Sequence, residues 1–182
     1  MLAQQVASGA PYDLFLSADE VRVKDLVNSG NLLRDSVVEY ARGRLGLWSR
    51  GRRFAALGDL MGPAVLHIAI ANPAHAPYGA AAKQAIEKSG LWSKLGEKIV
   101  YGESVRQALE YAESGNAEAA IVAWSLVSDR GGILLPASLH SPIRQAGAVV
   151  KNSKNQEAAR YFLRFLVSPE GRKLFESHGF TK

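Results

Sequence analysis

Short apolar runs alternate along this chain with segments in which apolar positions recur at helical spacing. Residues 12–16, 65–71, 98–101 and 118–124 have the length and β-branched or aromatic content of buried strands. Residues 2–8, 18–28, 52–60, 79–89, 91–95, 105–114 and 156–166 read as helices. The helix at 18–28 has Ser17-x-x-Glu20 as a capping box and Gly30 as its stop. Gly115 ends 105–114, Asn155 is placed to cap 156–166, and Ser168-Pro169-Glu170 supplies an N-cap, a proline at N1 and a first-turn acid for a last helix. The βα alternation predicts an α/β fold with mainly parallel sheets.

Two segments break this rhythm. Residues 37–49 are too long for one ordinary strand and contain Gly43 and Gly46, as expected where a chain leaves one lobe for another. Residues 131–152 mix strand-like runs with Pro136 and Pro142, which puts a return crossing at about 140–147. The expected division is 1–42 with 143–182 as lobe I, and 43–142 as lobe II.

The most informative stretch is LHIAIANPAHAPYG at 66–79, followed at once by AAAKQAIEKSG. A strand stops at Asn72-Pro73, and a helix starts near Tyr78-Gly79 with no acid in its first turn. The first N–H groups of such a helix lack internal partners, and the peptide dipoles add roughly half a positive charge there, so the end can hold an anion. EKIVYGESVRQALEYAE at 97–113 offers a second such end. There Ser104 is the N-cap, Gln107 its capping-box partner and Val105 the first helical residue.

Composition narrows the classes. The chain has 182 residues, 47% of them apolar, enough for a substantial core. No run approaches the roughly 18–20 apolar residues of a membrane helix, and MLAQQVASGAPYD lacks the basic-then-apolar pattern of a signal peptide. Zero cysteine excludes disulfides and thiolate chemistry. The net charge of +5 is dispersed, densest at Arg42, Arg44, Arg50, Arg52 and Arg53. No nucleic-acid motif accompanies it, so no nucleic-acid partner is expected. His67, His75, His140 and His178 have no metal-ligand spacing, and Ser49, Ser125 and Ser138 have no nucleophile-elbow context. Asp13 and Asp19 flank a strand and a helix start, where caps and surface roles are common. Neither an enzyme nor a cofactor is expected.

Five segments in order carry a resemblance: APYDLFLSAD (10–19), ANPAHAPYG (71–79), ESVRQAL (103–109), HSPIRQAGAVV (140–150) and SPEGRKLFESHGF (168–180). Together they resemble the periplasmic molybdate-binding proteins of bacterial ABC transporters, over Leu2 to Phe180. The resemblance implies a two-lobed periplasmic-binding-protein-like fold and a periplasmic location. It implies a tetrahedral dianion, molybdate and also tungstate, held between the lobes by neutral donors and delivered to a membrane permease by closure about a hinge. A fully deprotonated oxyanion only accepts hydrogen bonds, so a donor-only pocket rejects hydrogen phosphate, whose proton it leaves unsatisfied. Roughly five to seven hydrogen bonds at about 1.5–3 kcal/mol each support tight binding after ordering costs.

Carried over residue by residue, the family's backbone ligands fall on Tyr78 and Val105, which coincide with the helix starts read above. A third position, often tyrosine in the family, falls on Ala123, which has no hydroxyl; Ser125, a backbone group or water would have to replace it. The family's two serine-bearing turns, which precede the helix starting here at Met1-Leu2-Ala3, have no counterpart. The expectation is therefore an N-terminally truncated member lacking the first strand and loop of lobe I. Two lost hydroxyl donors predict binding weaker by roughly 3–6 kcal/mol, on the order of a hundred- to ten-thousand-fold. A bare sheet edge would then favour association, whereas a complete member would be a monomer. Two other readings stand beside transport: an effector-sensing domain of similar fold, disfavoured by the lack of a DNA-binding segment, and a folded remnant that binds nothing.

Overall fold

The computed structural model describes residues 2–182, so the expected helix start at Met1 lies outside the described residues. In chain order the elements are α1 (Leu2–Ala7), β1 (Leu14–Ser17), α2 (Glu20–Asn28), β2 (Val38–Gly43), β3 (Leu45–Trp48), β4 (Ile68–Ala71), α3 (Pro77–Lys88), α4 (Trp92–Leu95), β5 (Ile99–Gly102), α5 (Val105–Ser114), β6 (Ala119–Ala123), β7 (Ile133–Leu134), β8 (Ile143–Val149), α6 (Gln156–Val167) and α7 (Pro169–Ser177). The chain forms two compact units, one of residues up to Arg42 with Arg144–Lys182, the other of Gly43–Ile143.

The first unit holds a three-stranded sheet in the order β1-β8-β2, with β1 and β8 antiparallel and Leu14 opposite Val149. Alternation along these strands supplies two faces. Phe15, Ala146 and Ala148 pack with Val6 of α1 and Val23 and Leu26 of α2. On the other side Val149 meets Ala159, Leu163 and Leu166 of α6, with Leu14, Val38, Tyr40 and Phe175 packed against them. Asp13 joins the start of β1 to the loop before α6, its carboxylate accepting from Ser153 Oγ at 2.6 Å and from Asn155 Nδ2 at 3.3 Å. Those bonds hold the Asp13 carboxyl below the usual carboxylate range, Ser153 contributing most.

The second unit is a five-stranded sheet in the order β5-β4-β6-β3-β7. β4 runs parallel to both β5 and β6, whereas β3 is antiparallel to β6 and to β7. This sheet is therefore mixed, and the β1–β8 pairing of the first unit is antiparallel, whereas mainly parallel sheets were expected. Only β4, β5 and β6 are joined by helices long enough to bring the chain back in the same direction. Every residue of β4 and β6 is buried, which requires cover on both faces. Leu109 and Ala112 of α5 lie against Ala69, Ala120, Val122 and Trp48. Ile68, Ile70 and Ile121 point the opposite way, to the face of α3 with its buried Ala82 and Ile86. Right-handed crossovers demand this split, since β4 to β5 steps one way along the sheet and β5 to β6 steps back.

Local chemistry moves several boundaries. Asp19, not Ser17, caps α2, its carboxylate accepting from the Val21 amide at 2.9 Å, while Ser17 Oγ accepts from the Asp19 amide at 3.0 Å. Instead of a helix at 52–60 there is a short 3-10 turn, Leu57–Met61, because Asp59 Oδ2 accepts from the Ala55 and Ala56 amides and ties the chain into a loop. β4 begins at Ile68 rather than 65, since Glu118 Oε2 accepts from the amides of Leu66 (2.9 Å) and His67 (2.7 Å). Asn155 sits at the N-cap of α6, but its side chain bonds Asp13 and does not cap the helix. Ser168 does cap α7, accepting from the Gly171 amide.

Candidate functional site

The parallel register of β4 and β5 sets Ala71 opposite Gly102, so both strands end at one level. The pairing runs one step further, the Asn72 amide donating to the Gly102 carbonyl at 2.8 Å. From there each chain turns into a helix at the carboxyl edge of the sheet, where open α/β sheets bind their ligands. Asn72 builds the first turn. Its Oδ1 accepts from the Ala74 amide, and its carbonyl accepts from the amides of His75 and Ala76. Ala76 then occupies the N-cap in extended geometry with no side-chain cap, and Pro77 is N1. The first intrahelical bond of α3 is donated by Ala80, so the amides of Tyr78 and Gly79 lie in the first turn ahead of it.

The start of α5 matches the reading of Ser104 and Val105. Ser104 Oγ accepts from the Gln107 amide at 3.1 Å, and Val105 opens the helix. Gln107 differs from a standard capping box: its Oε1 accepts from the amide of Glu103, at 2.6 Å, rather than from that of Ser104. The first intrahelical bond is donated by Ala108, which leaves the amides of Val105 and Arg106 in the open first turn. Neither α3 nor α5 has an acid in its first turn. Dipole and amides of both ends thus act without a resident carboxylate on the helix.

Ala123 closes β6, which parallels β4, and so reaches the same edge of the sheet. Its side chain is buried, and the next amide, Trp124, is spent on the Arg44 carbonyl. Trp124 packs against the α5-side core, and Ser125 is half-buried in the 3-10 turn Trp124–Leu126. Tyr78, Val105 and Ala123, separated along the chain, are therefore gathered at one edge of one sheet.

Close backbone approach makes this possible, and the sequence reading missed it. A Cβ on Gly79 would lie 2.1 Å from the Ala71 carbonyl oxygen, and one on Gly102 would lie 2.7 Å from the Ala108 amide nitrogen. Each helix therefore seats directly on a strand end. Gly43 does the same for the Tyr78 ring, whose hydroxyl would be 2.2 Å from an added Cβ. The glycines inside β-rich or helix-opening motifs were the available signal.

The four histidines have separate partners. His67 Nδ1 lies 3.9 Å from Glu118, and His75 Nε2 lies 3.4 Å from Glu103. His140 Nδ1 is 2.7 Å from the Ser141 carbonyl, and His178 Nδ1 is 2.8 Å from the Leu174 carbonyl. Among the described residues no group of three or more His, Cys, Asp or Glu side chains could hold a metal ion. No described helix is long and apolar enough to cross a membrane.

Comparison with known proteins bears out the resemblance carried by the five sequence segments. Residues 1–181 match the model of a family described as bacterial extracellular solute-binding protein. The molybdate-binding protein of Rhodobacter capsulatus is 38% identical over 181 residues, covering 97% of this chain and 72% of that protein. A putative ABC transporter substrate-binding lipoprotein of Bacillus subtilis is 36% identical over 185 residues, covering 99% of this chain and 71% of that protein. The solved periplasmic molybdate-binding protein of Azotobacter vinelandii superposes with a TM-score of 0.89 at 32% identity, over 100% of this chain and 83% of that one. Solute-binding proteins capture and release without catalysis, which fits two helix starts with no acid in their first turns at the edge of a parallel strand pair, and this chain belongs to the bacterial extracellular solute-binding protein family.

Proposed function

We propose that this chain is the substrate-binding component of an ABC importer and that its solute is molybdate, with tungstate as a second substrate. The carrying observation is the pair of helix starts, at Tyr78 and Val105, brought to one sheet edge with no acid in either first turn. The relatives of Rhodobacter capsulatus and Azotobacter vinelandii, both named for binding molybdate, support the choice of anion. The amides of the two first turns donate to the oxyanion, and the backbone at Ala123 and the hydroxyl of Ser125 complete this side of the site.

Discrimination follows from donor chemistry. Molybdate and tungstate bring only acceptors, so each amide is satisfied; hydrogen phosphate brings a donor that meets other donors. Sulfate is separated from molybdate by size, the smaller tetrahedron reaching the same donors less well. The partner is a membrane permease that accepts the released anion, and the protein works outside the cytoplasmic membrane. Isothermal titration of the chain with molybdate, tungstate, sulfate and phosphate tests this reading. Molybdate and tungstate binding at least tenfold tighter than sulfate or phosphate is the expected outcome. Equal affinity for all four, or none for molybdate, contradicts it.

A further inference from the structure

His75 and Glu103 stand in the two loops that lead into α3 and α5, and His75 Nε2 lies 3.4 Å from Glu103 Oε2. Glu103 directly precedes the N-cap Ser104, and its side chain is 82% exposed. A carboxylate at that position is a rival for any solute anion. Helix starts favour negative charge whatever its source, and one tethered next to the first turn acts at high effective concentration. The structure instead shows the carboxylate turned to the imidazole of the neighbouring loop, while the Glu103 amide is held by Gln107.

We propose that His75 is a positioning residue that draws the Glu103 carboxylate away from the start of α5 and so keeps the amides of Val105 and Arg106 open to the incoming oxyanion. The assignment rests on the anion site proposed above. It gives the pair a role beyond stability, since an exposed ion pair by itself contributes little to folding.

The test is isothermal titration with molybdate of the intact chain, His75→Ala, Glu103→Gln and the double variant. His75→Ala is expected to weaken binding by about 1.5-fold to fivefold, the range of a lost surface charge contact. Glu103→Gln is expected to bind at least as tightly as the unaltered chain, and the double variant to recover what His75→Ala loses. A His75→Ala chain that binds normally, or a double variant that stays weak, overturns the assignment while leaving the anion site standing. Absence of molybdate binding to the unaltered chain overturns the anion site and the assignment with it.

Discussion

Single side chains decide where the elements of the second unit begin. Glu118, just before the neighbouring strand β6, fixes the start of β4 by accepting two backbone amides, and the His67 amide, followed by burial acting the other way and the Leu66 amide, leaves its carboxyl below the ordinary glutamate range. A depressed carboxylate stabilises the fold above its unfolded pKa, and that contribution is lost as pH falls through the folded value. Glu118→Ala is expected to cost about 1–2 kcal/mol near neutral pH, and the gap from the unaltered chain should narrow as the pH falls into the acid range; urea denaturation at pH 7 and pH 3.5 measures both. Caps such as this explain what could be read beforehand. Ser104 and Val105 were legible because the Ser-x-x-Gln pattern is local. Glu118 was not, because its partners lie 51 and 52 residues away. Ser17 was misread for a nearer reason: Asp19, a stronger acceptor two residues on, takes the cap.

At the level of elements, α3 is the informative case. An uncapped N-terminus with Pro77 at N1 is less stable than it could be, because Ala76 occupies a cap position in extended geometry and contributes no acceptor. Ala76→Asp supplies one, and opposite effects follow. Thermal unfolding should show stabilisation by up to about 1 kcal/mol from the cap and the dipole. Molybdate titration of the same variant should show binding reduced at least tenfold, because the new carboxylate occupies the amides the solute needs. A variant both less stable and normal in binding would place the anion elsewhere. The strand-to-helix junctions were legible from apolar runs stopped by Asn72-Pro73 and by Gly102-Glu103-Ser104. The antiparallel position of β3 was not, since its burial on every residue reads the same as that of a parallel strand.

On the scale of the whole molecule, one continuous stretch, Gly43–Ile143, forms a unit of its own, while the other unit is assembled from two distant stretches. Locality of contacts predicts different behaviour for the two. Residues 43–143 expressed alone should unfold cooperatively in urea, since the five-stranded sheet and the helices on both of its faces lie within that range. A featureless, non-cooperative profile would contradict independent folding. The break at Gly43 and the prolines at 136 and 142 were the sequence signs of where the chain changes units, and both are consequences of backbone chemistry that leaves no periodic trace.

The claim on which the function turns is that the first-turn amides of α3 and α5 hold one oxyanion. Amide chemical shifts of nitrogen-15-labelled protein, followed through a molybdate titration, test it most directly. The account predicts that the amides of Tyr78, Gly79, Val105 and Arg106 shift together along one binding curve, while those at the start of α7 stay in place. Saturable binding that leaves these four unmoved, or moves only one helix start, would contradict it.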